Sequence, residues 1–240
     1  MFVGEDSAFA EAGRQSYAKF SIDQKKLMAR LRMTWEVMVD STSSEGAFTS
    51  ARKSEMQYLI DDISRKDEYA LASDGRGVLA LIDEATPNGN TTLELDAPGG
   101  ITGDDFGNRF VSSGMFLAFI NPASGAFRSV TDNAKVTAVN SDGTDVTVDA
   151  AANISSTAAN SDYVVQAADK DVTSVNDTSY EKAWWGLMAL VDDGTYRASY
   201  FGVTRADVPA TSSYVTASTG ALSTDLIQRV SDVLDQKMGG

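Results

Sequence analysis

The stretch from Thr42 to Gly75, TSSEGAFTSARKSEMQYLIDDISRKDEYALASDG, constrains this chain more than any other. Thr42 and Glu45 stand in capping-box spacing, with the Thr oxygen placed to accept from an orphan N–H and the Glu to reach back. Phe48, Ala51, Met56, Leu59, Ile60, Ile63 and Ala70 recur at helical steps and share one face. Arg52, Lys53, Glu55, Asp61, Asp62, Arg65, Lys66 and Asp67 lie mostly on the other, and Gly75 supplies a left-handed stop. A helix of roughly 30 residues is about 45 Å long, more than a small core needs. The stripe Met56, Leu59, Ile60, Ile63 is expected to pack on a sheet of the same chain. A charge placed there, as in Leu59→Asp, is expected to destroy the fold.

The residues before the helix read as an extended hairpin. Residues 1–13 form an arm, RQSYAKFSI (14–22) alternates weakly, and Asp23-Gln24-Lys25 supplies a turn. Leu27, Ala29, Leu31, Met33, Trp35, Val37 and Val39 then alternate with mostly polar neighbours, the period of a long strand. This hairpin is basic within an acidic protein. Lys19, Lys25, Lys26, Arg30 and Arg32 face a single acid, Asp23, over that stretch. It is either a solvated charged face or an arm that lies on the acidic surface of a neighbouring copy.

After the helix, GVLALI is a buried strand, Asn88-Gly89-Asn90 a turn and TTLELD an alternating strand broken by Pro98-Gly99-Gly100. Residues 101–172 have strand texture throughout. FVSSGMFLAFI, FRSV, AKVTAV, TDVTVDA and DYVVQA are separated by Asn121-Pro122, Ser124-Gly125 and Ser141-Asp142-Gly143. The pattern suggests a small barrel or sandwich inserted in a larger fold. TSYEKAWWGLMALVDDG then reads as a helix with Trp184, Leu187, Met188 and Val191 on one face. STDLIQRVSDVLDQKMGG closes the chain as a helix capped by Ser223, with Leu226, Val230, Val233 and Leu234 in a stripe.

Composition narrows the function. The 240 residues carry a formal net charge of −14, of which −11 falls after residue 75, so direct nucleic-acid binding is disfavoured. There is no cysteine and no histidine, which removes thiolate chemistry and the commonest general base and metal ligand. No apolar run is long enough to span a membrane. The N-terminus has no signal pattern, which points to synthesis and use in the cytoplasm or release by lysis.

Catalytic motifs are sparse. No nucleophile elbow, P-loop or dinucleotide fingerprint occurs. Asn140-Ser141-Asp142-Gly143-Thr144-Asp145 has the composition of a calcium loop, but its Gly is out of register and it reads as a hairpin turn. Asp192-Asp193 and Asp104-Asp105 are paired carboxylates beside glycine, better suited to caps and turns than to hydrolysis. Trp184-Trp185 suits core packing more than ligand stacking. No catalytic residue, metal site or cofactor is expected.

The order of these parts resembles one family, the major capsid proteins of tailed bacteriophages with the Hong Kong 97-type capsid fold. GEDSAFAEAGRQSYAKFSIDQKKLMARLRMTWEVM resembles the family's E-loop, and GAFTSARKSEMQYLIDDISRKDEYALASDGRGVLALI its spine helix and following strand. WWGLMALVDDG and LSTDLIQRVSDVLDQKMGG resemble helices of its axial domain. The resemblance implies an α+β fold with residues 14–41 as the E-loop hairpin and 42–75 as the spine of the peripheral domain. Residues 76–100 and 173–240 would form the axial (A) domain, with 101–172 as a β-rich insertion. It implies self-assembly into hexamers and pentamers of an icosahedral shell in the virion, with scaffolding, portal or decoration proteins as further partners. Lys19, Lys25, Lys26, Arg30 and Arg32 would be inter-subunit contacts, and the three lysines are placed where some relatives crosslink. Relatives usually have a longer N-terminal arm and continue past Gly239-Gly240, so the chain is expected to be a piece or a cleaved product of a longer one. Two alternatives stand beside this: an encapsulin-type nanocompartment shell, and a hydrolase working through carboxylates with Trp185.

Overall fold

A computed structural model describes residues 19–29, 45–87, 89–101, 106–128, 132–150, 154, 156–208, 211–213, 215 and 224–238. The chain divides into two compact units, Gln24–Asp192 and a second built from Met1–Asp23 with Asp193–Gly240.

The first unit opens on helix α1 (Glu45–Ala72, 28 residues). It then forms six strands: β1 (Val78–Ile82), β2 (Thr92–Asp96), β3 (Phe116–Ile120), β4 (Ala134–Val139), β5 (Asp145–Val148) and β6 (Tyr163–Ala167). They close a barrel in the order β1-β2-β5-β4-β3-β6, and every neighbouring pair is antiparallel. Closure leaves no edge strand to pair with another chain.

The sequence pattern explains which strands are covered on both faces. β2, β4 and β5 alternate: Leu93, Leu95, Ala134, Val136, Val146 and Val148 point into the lumen, while Thr92, Glu94, Lys135 and Thr137 stay in water. The adjacent strands β3, β6 and β1 are continuous apolar runs, FLAFI, YVVQA and VLALI. Their inward residues Ala80, Ile82, Leu117, Phe119 and Val164 join the lumen core. Their outward residues Val78, Leu81, Ala118, Ile120, Val165 and Ala167 form a second cluster, covered by Val172, Val175, Tyr180 and Phe127. A run without alternation is what a strand buried on both faces requires.

Two polar locks hold the covering loops. Asp162, nearly fully buried, accepts a bidentate pair from Arg128 at 2.9 Å on each oxygen, and the Ala159 N–H also donates to it. Buried Asn133 donates to the carbonyls of Asp169, Lys170 and Val172 at 2.8–3.2 Å and so fixes the turn after β6.

The barrel overturns the expected α+β capsid fold of the Hong Kong 97 type with an inserted β subdomain. The antiparallel barrel is the main body of its unit, and β1 and β2, expected to lie outside the insertion, are two of its six strands. Periodicity reveals that a strand exists, but pairing is a long-range choice that local pattern does not carry. Other expectations change with it. No strand is formed in the described part of the predicted hairpin, Lys19–Ala29, and the rest of that hairpin and Thr42 lie outside the described residues. Phe127 makes only an isolated bridge to Ile120. The helix expected around Trp184 shrinks to the single turn α2 (Leu187–Leu190).

The second unit contains a minimal hairpin, β7 (Ser199–Tyr200) and β8 (Val203–Thr204), and helix α3 (Thr224–Met238). The hairpin turns through Phe201 and Gly202, both at positive φ (47° and 83°), as a type I′ turn needs. Buried Arg205 holds the unit by donating to the Arg197 carbonyl at 3.0 Å and to the Thr211 carbonyl, with its guanidinium over the Tyr200 ring.

Candidate functional site

Helix α1 is fixed to the barrel at its C-terminal turn. Ala70 is buried, and the Tyr69 ring lies 4.5 Å from that of Phe110 while its hydroxyl donates to the Val78 carbonyl. Ser73 closes the helix end, donating its Oγ–H to the Ala70 carbonyl at 3.0 Å. Gly186 sits against the last carbonyls, where any Cβ would clash with those of Ala70, Leu71 and Ser73. The chain then turns at Gly75, which Trp185 covers, and enters β1. Arg76 stabilises this junction: it pairs with buried Asp74, donates to the Tyr163 hydroxyl and lies over the Tyr163 ring.

Burial pushes the Tyr69 phenol well above its ordinary value, and the Asp74 charge adds to the effect. Tyr69 therefore favours the folded state fully below the usual tyrosine range, near pH ~10. That contribution is lost as pH rises toward the raised folded value. Tyr69→Phe should flatten the alkaline arm of a stability-versus-pH curve above about pH 10. At neutral pH it should cost about 1 kcal/mol for the lost hydrogen bond. Urea midpoints at a series of pH values measure both.

Before that anchor, most of the described side chains of α1 are exposed. From Arg52 to Glu68 every side chain is exposed except Leu59 and Ile63, which are half-buried. Met56 is 45% exposed, Tyr58 64% and Ile60 58%. Of the expected stripe, Leu59 and Ile63 are half-buried and Met56 and Ile60 are exposed, and among the described residues none of the four joins a buried cluster. Helices of this length usually draw their stability from packing an apolar face. Met56 and Ile60 are thus apolar side chains that α1 leaves in water.

The predicted basic residues fall on a second uncovered stretch. Lys19–Ala29 runs without helix or strand, with Ile22 75% and Met28 86% exposed. Lys19 and Lys26 are exposed, whereas Lys25 is half-buried and donates to the Glu181 carbonyl at 2.9 Å. Arg30 and Arg32 lie outside the described residues. Within the second unit, the Ser21 N–H donates to the Phe201 carbonyl at 2.8 Å and Phe20 meets Tyr200 edge-on. The lysines thus sit on an extended strap rather than on a hairpin ladder.

Two of the acidic motifs make turn contacts. In the β4–β5 turn, Asp142 Oδ1 accepts from the N–H of Thr144 and of Asp145, and Gly143 takes φ +92°. Asp192 is buried, while exposed Asp193 accepts from the Thr195 hydroxyl at 2.6 Å and its N–H at 3.0 Å. Those two bonds hold the Asp193 carboxyl below its ordinary value. Asp104 and Asp105 lie outside the described residues. Among the described residues, no three acidic groups converge to hold a metal, and no helix is long and apolar enough to cross a membrane.

The surface features the sequence reading missed are the exposed Met56 and Ile60, assigned there to the subunit's own sheet. The available signal was charge inside the stripe: Lys53 and Asp67 stand at core-facing spacing with Met56, Ile60 and Ile63. A helix that buries its stripe in a barrel core has no use for them. No family model, curated protein or solved structure matches the chain.

Proposed function

We propose that this chain is a structural shell subunit, a major capsid protein that self-assembles into the icosahedral head of a tailed bacteriophage around its DNA genome. The observation that carries the reading is the exposed part of α1, where Met56 and Ile60 stand in water while the described anchoring contacts lie near the helix's C-terminal end. Repetition of modest contacts over many copies turns such surfaces into a stable particle. The phage assignment rests on the order of the sequence phrases; the capsid fold they implied is not retained. The net charge of −14 suits a wall that encloses DNA without adhering to it. Its role is binding rather than catalysis, its place is the virion, and its first partner is itself, in hexamers and pentamers. Scaffolding, portal or decoration proteins would join it there. The basic segment of one copy, whose sequence carries Lys19, Lys25, Lys26, Arg30 and Arg32, would lie on the acidic surface of another.

Sedimentation of the purified chain over a range of salt and concentration tests this. The expected result is a megadalton species that electron micrographs show as closed particles. A chain that remains a monomer under every condition overturns the reading. Arg30→Glu with Arg32→Glu should leave the circular-dichroism spectrum unchanged and shift the sedimenting material toward small species. Loss of the spectrum instead would assign these arginines to folding.

A further inference from the structure

The exposed stripe of α1 carries its own address. Lys53, Met56, Ile60, Ile63 and Asp67 follow one another at steps of three, four, three and four, the spacing of a coiled-coil seam. The seam continues to Ala70, but Ala70 is buried in its own subunit and Ile63 is half-buried, so its exposed members are Lys53, Met56, Ile60 and Asp67. Both charged ends are exposed, and neither takes part in an ion pair among the described residues. A basic group thus closes one end of an apolar seam and an acidic group the other, with Ile60 at the midpoint.

This arrangement is self-complementary in one direction only. Two copies of α1 laid antiparallel about a two-fold axis at Ile60 place Ile60 on its mate and Met56 beside the partner's Ile63. Lys53 then faces the partner's Asp67, twice over by symmetry. Laid parallel, the same seam sets lysine on lysine and aspartate on aspartate, which charge repulsion disfavours. An isologous contact of this kind is what a two-fold axis requires.

We infer that α1 is a homotypic docking surface, occupied by α1 of a second copy in an antiparallel pair centred on Ile60. The inference rests on the self-assembly reading and specifies one of its contacts.

Thiol crosslinking of the full chain tests it, and the absence of native cysteine leaves no background. Under mild oxidation Ile60→Cys should form a covalent dimer. A mixture of Lys53→Cys and Asp67→Cys chains should give the mixed dimer in clear excess over either self-dimer. Lys53→Glu, which reverses both symmetry-related charge pairs, should reduce Ile60→Cys crosslinking about tenfold. Lys53→Glu combined with Asp67→Lys should restore it. These side chains lie outside the barrel core, so an unchanged circular-dichroism spectrum is expected in each variant.

Sedimentation of the same samples separates the two proposals. Large particles in which Ile60→Cys fails to crosslink overturn the helix pair and leave the shell reading standing, with another segment or protein on α1. Preferential Lys53→Cys self-dimers overturn the antiparallel arrangement. A chain that stays monomeric and uncrosslinked overturns both.

Discussion

Phe119→Ala should lower the stability of the barrel by about 3–5 kcal/mol. Among the described residues Phe119 is the largest fully buried side chain, 1% exposed, and it belongs to the lumen cluster with Leu93, Leu117, Val136, Val146 and Val164. Truncation removes its transfer free energy and leaves a cavity that a closed barrel is poorly able to collapse. In urea unfolding the midpoint should fall with an unchanged slope. Leu59→Asp is the informative contrast. The apolar stripe by itself suggested that a charge at Leu59 would destroy the fold. Leu59 is instead half-buried on α1 and belongs to neither buried cluster. Leu59→Asp should therefore change barrel stability by less than about 1 kcal/mol. A barrel that melts on Leu59→Asp would show that α1 is packed on its own subunit after all.

Arg76→Met is the second large effect, expected at about 3–5 kcal/mol. Arg76 is buried, its guanidinium pairs with an Asp74 side chain that is itself 1% exposed, and it donates to the Tyr163 hydroxyl. Methionine replaces much of the volume but removes the guanidinium charge paired with the buried Asp74 carboxylate. The cost is therefore one of charge burial rather than of packing. Arg76→Met with Asp74→Asn should recover a substantial part of the loss, because the uncompensated charge is then gone. Thermal unfolding of the single and double variants decides it, and equal destabilisation in both would mean that Arg76 acts through its contacts with Tyr163 and Gly100 instead.

The local elements were largely legible. The helix limits expected from the Thr42 cap and the Gly75 stop enclose the observed Glu45–Ala72 by three residues at each end. VLALI, TLELD, FLAFI, AKVTAV and YVVQA all form strands close to where their apolar patterns put them. The basic segment was visible as composition, yet its lysines turned out to lie on an extended strap without a ladder. The turn at Ser141-Asp142-Gly143 could be read because an Asx turn is made by residues two apart. The helix expected around Trp184 failed because Gly186 is needed at the end of α1, and that requirement comes from another part of the chain.

What the sequence determined by itself was therefore what is set within a few residues or by composition: the long helix, most strand positions, the turns, and a net charge that disfavours nucleic-acid binding. GVLALI could be read as a buried strand and TTLELD as an alternating one, whereas the coverage of β3 and β6 on both faces emerged only in the folded barrel. The tertiary structure alone decided that six strands close on each other as β1-β2-β5-β4-β3-β6, and that α1 keeps its apolar seam in water. Both outcomes depend on partners distant in sequence. An apolar stripe states that a face must be covered; only the folded chain tells whether its own residues cover it or leave it for another copy.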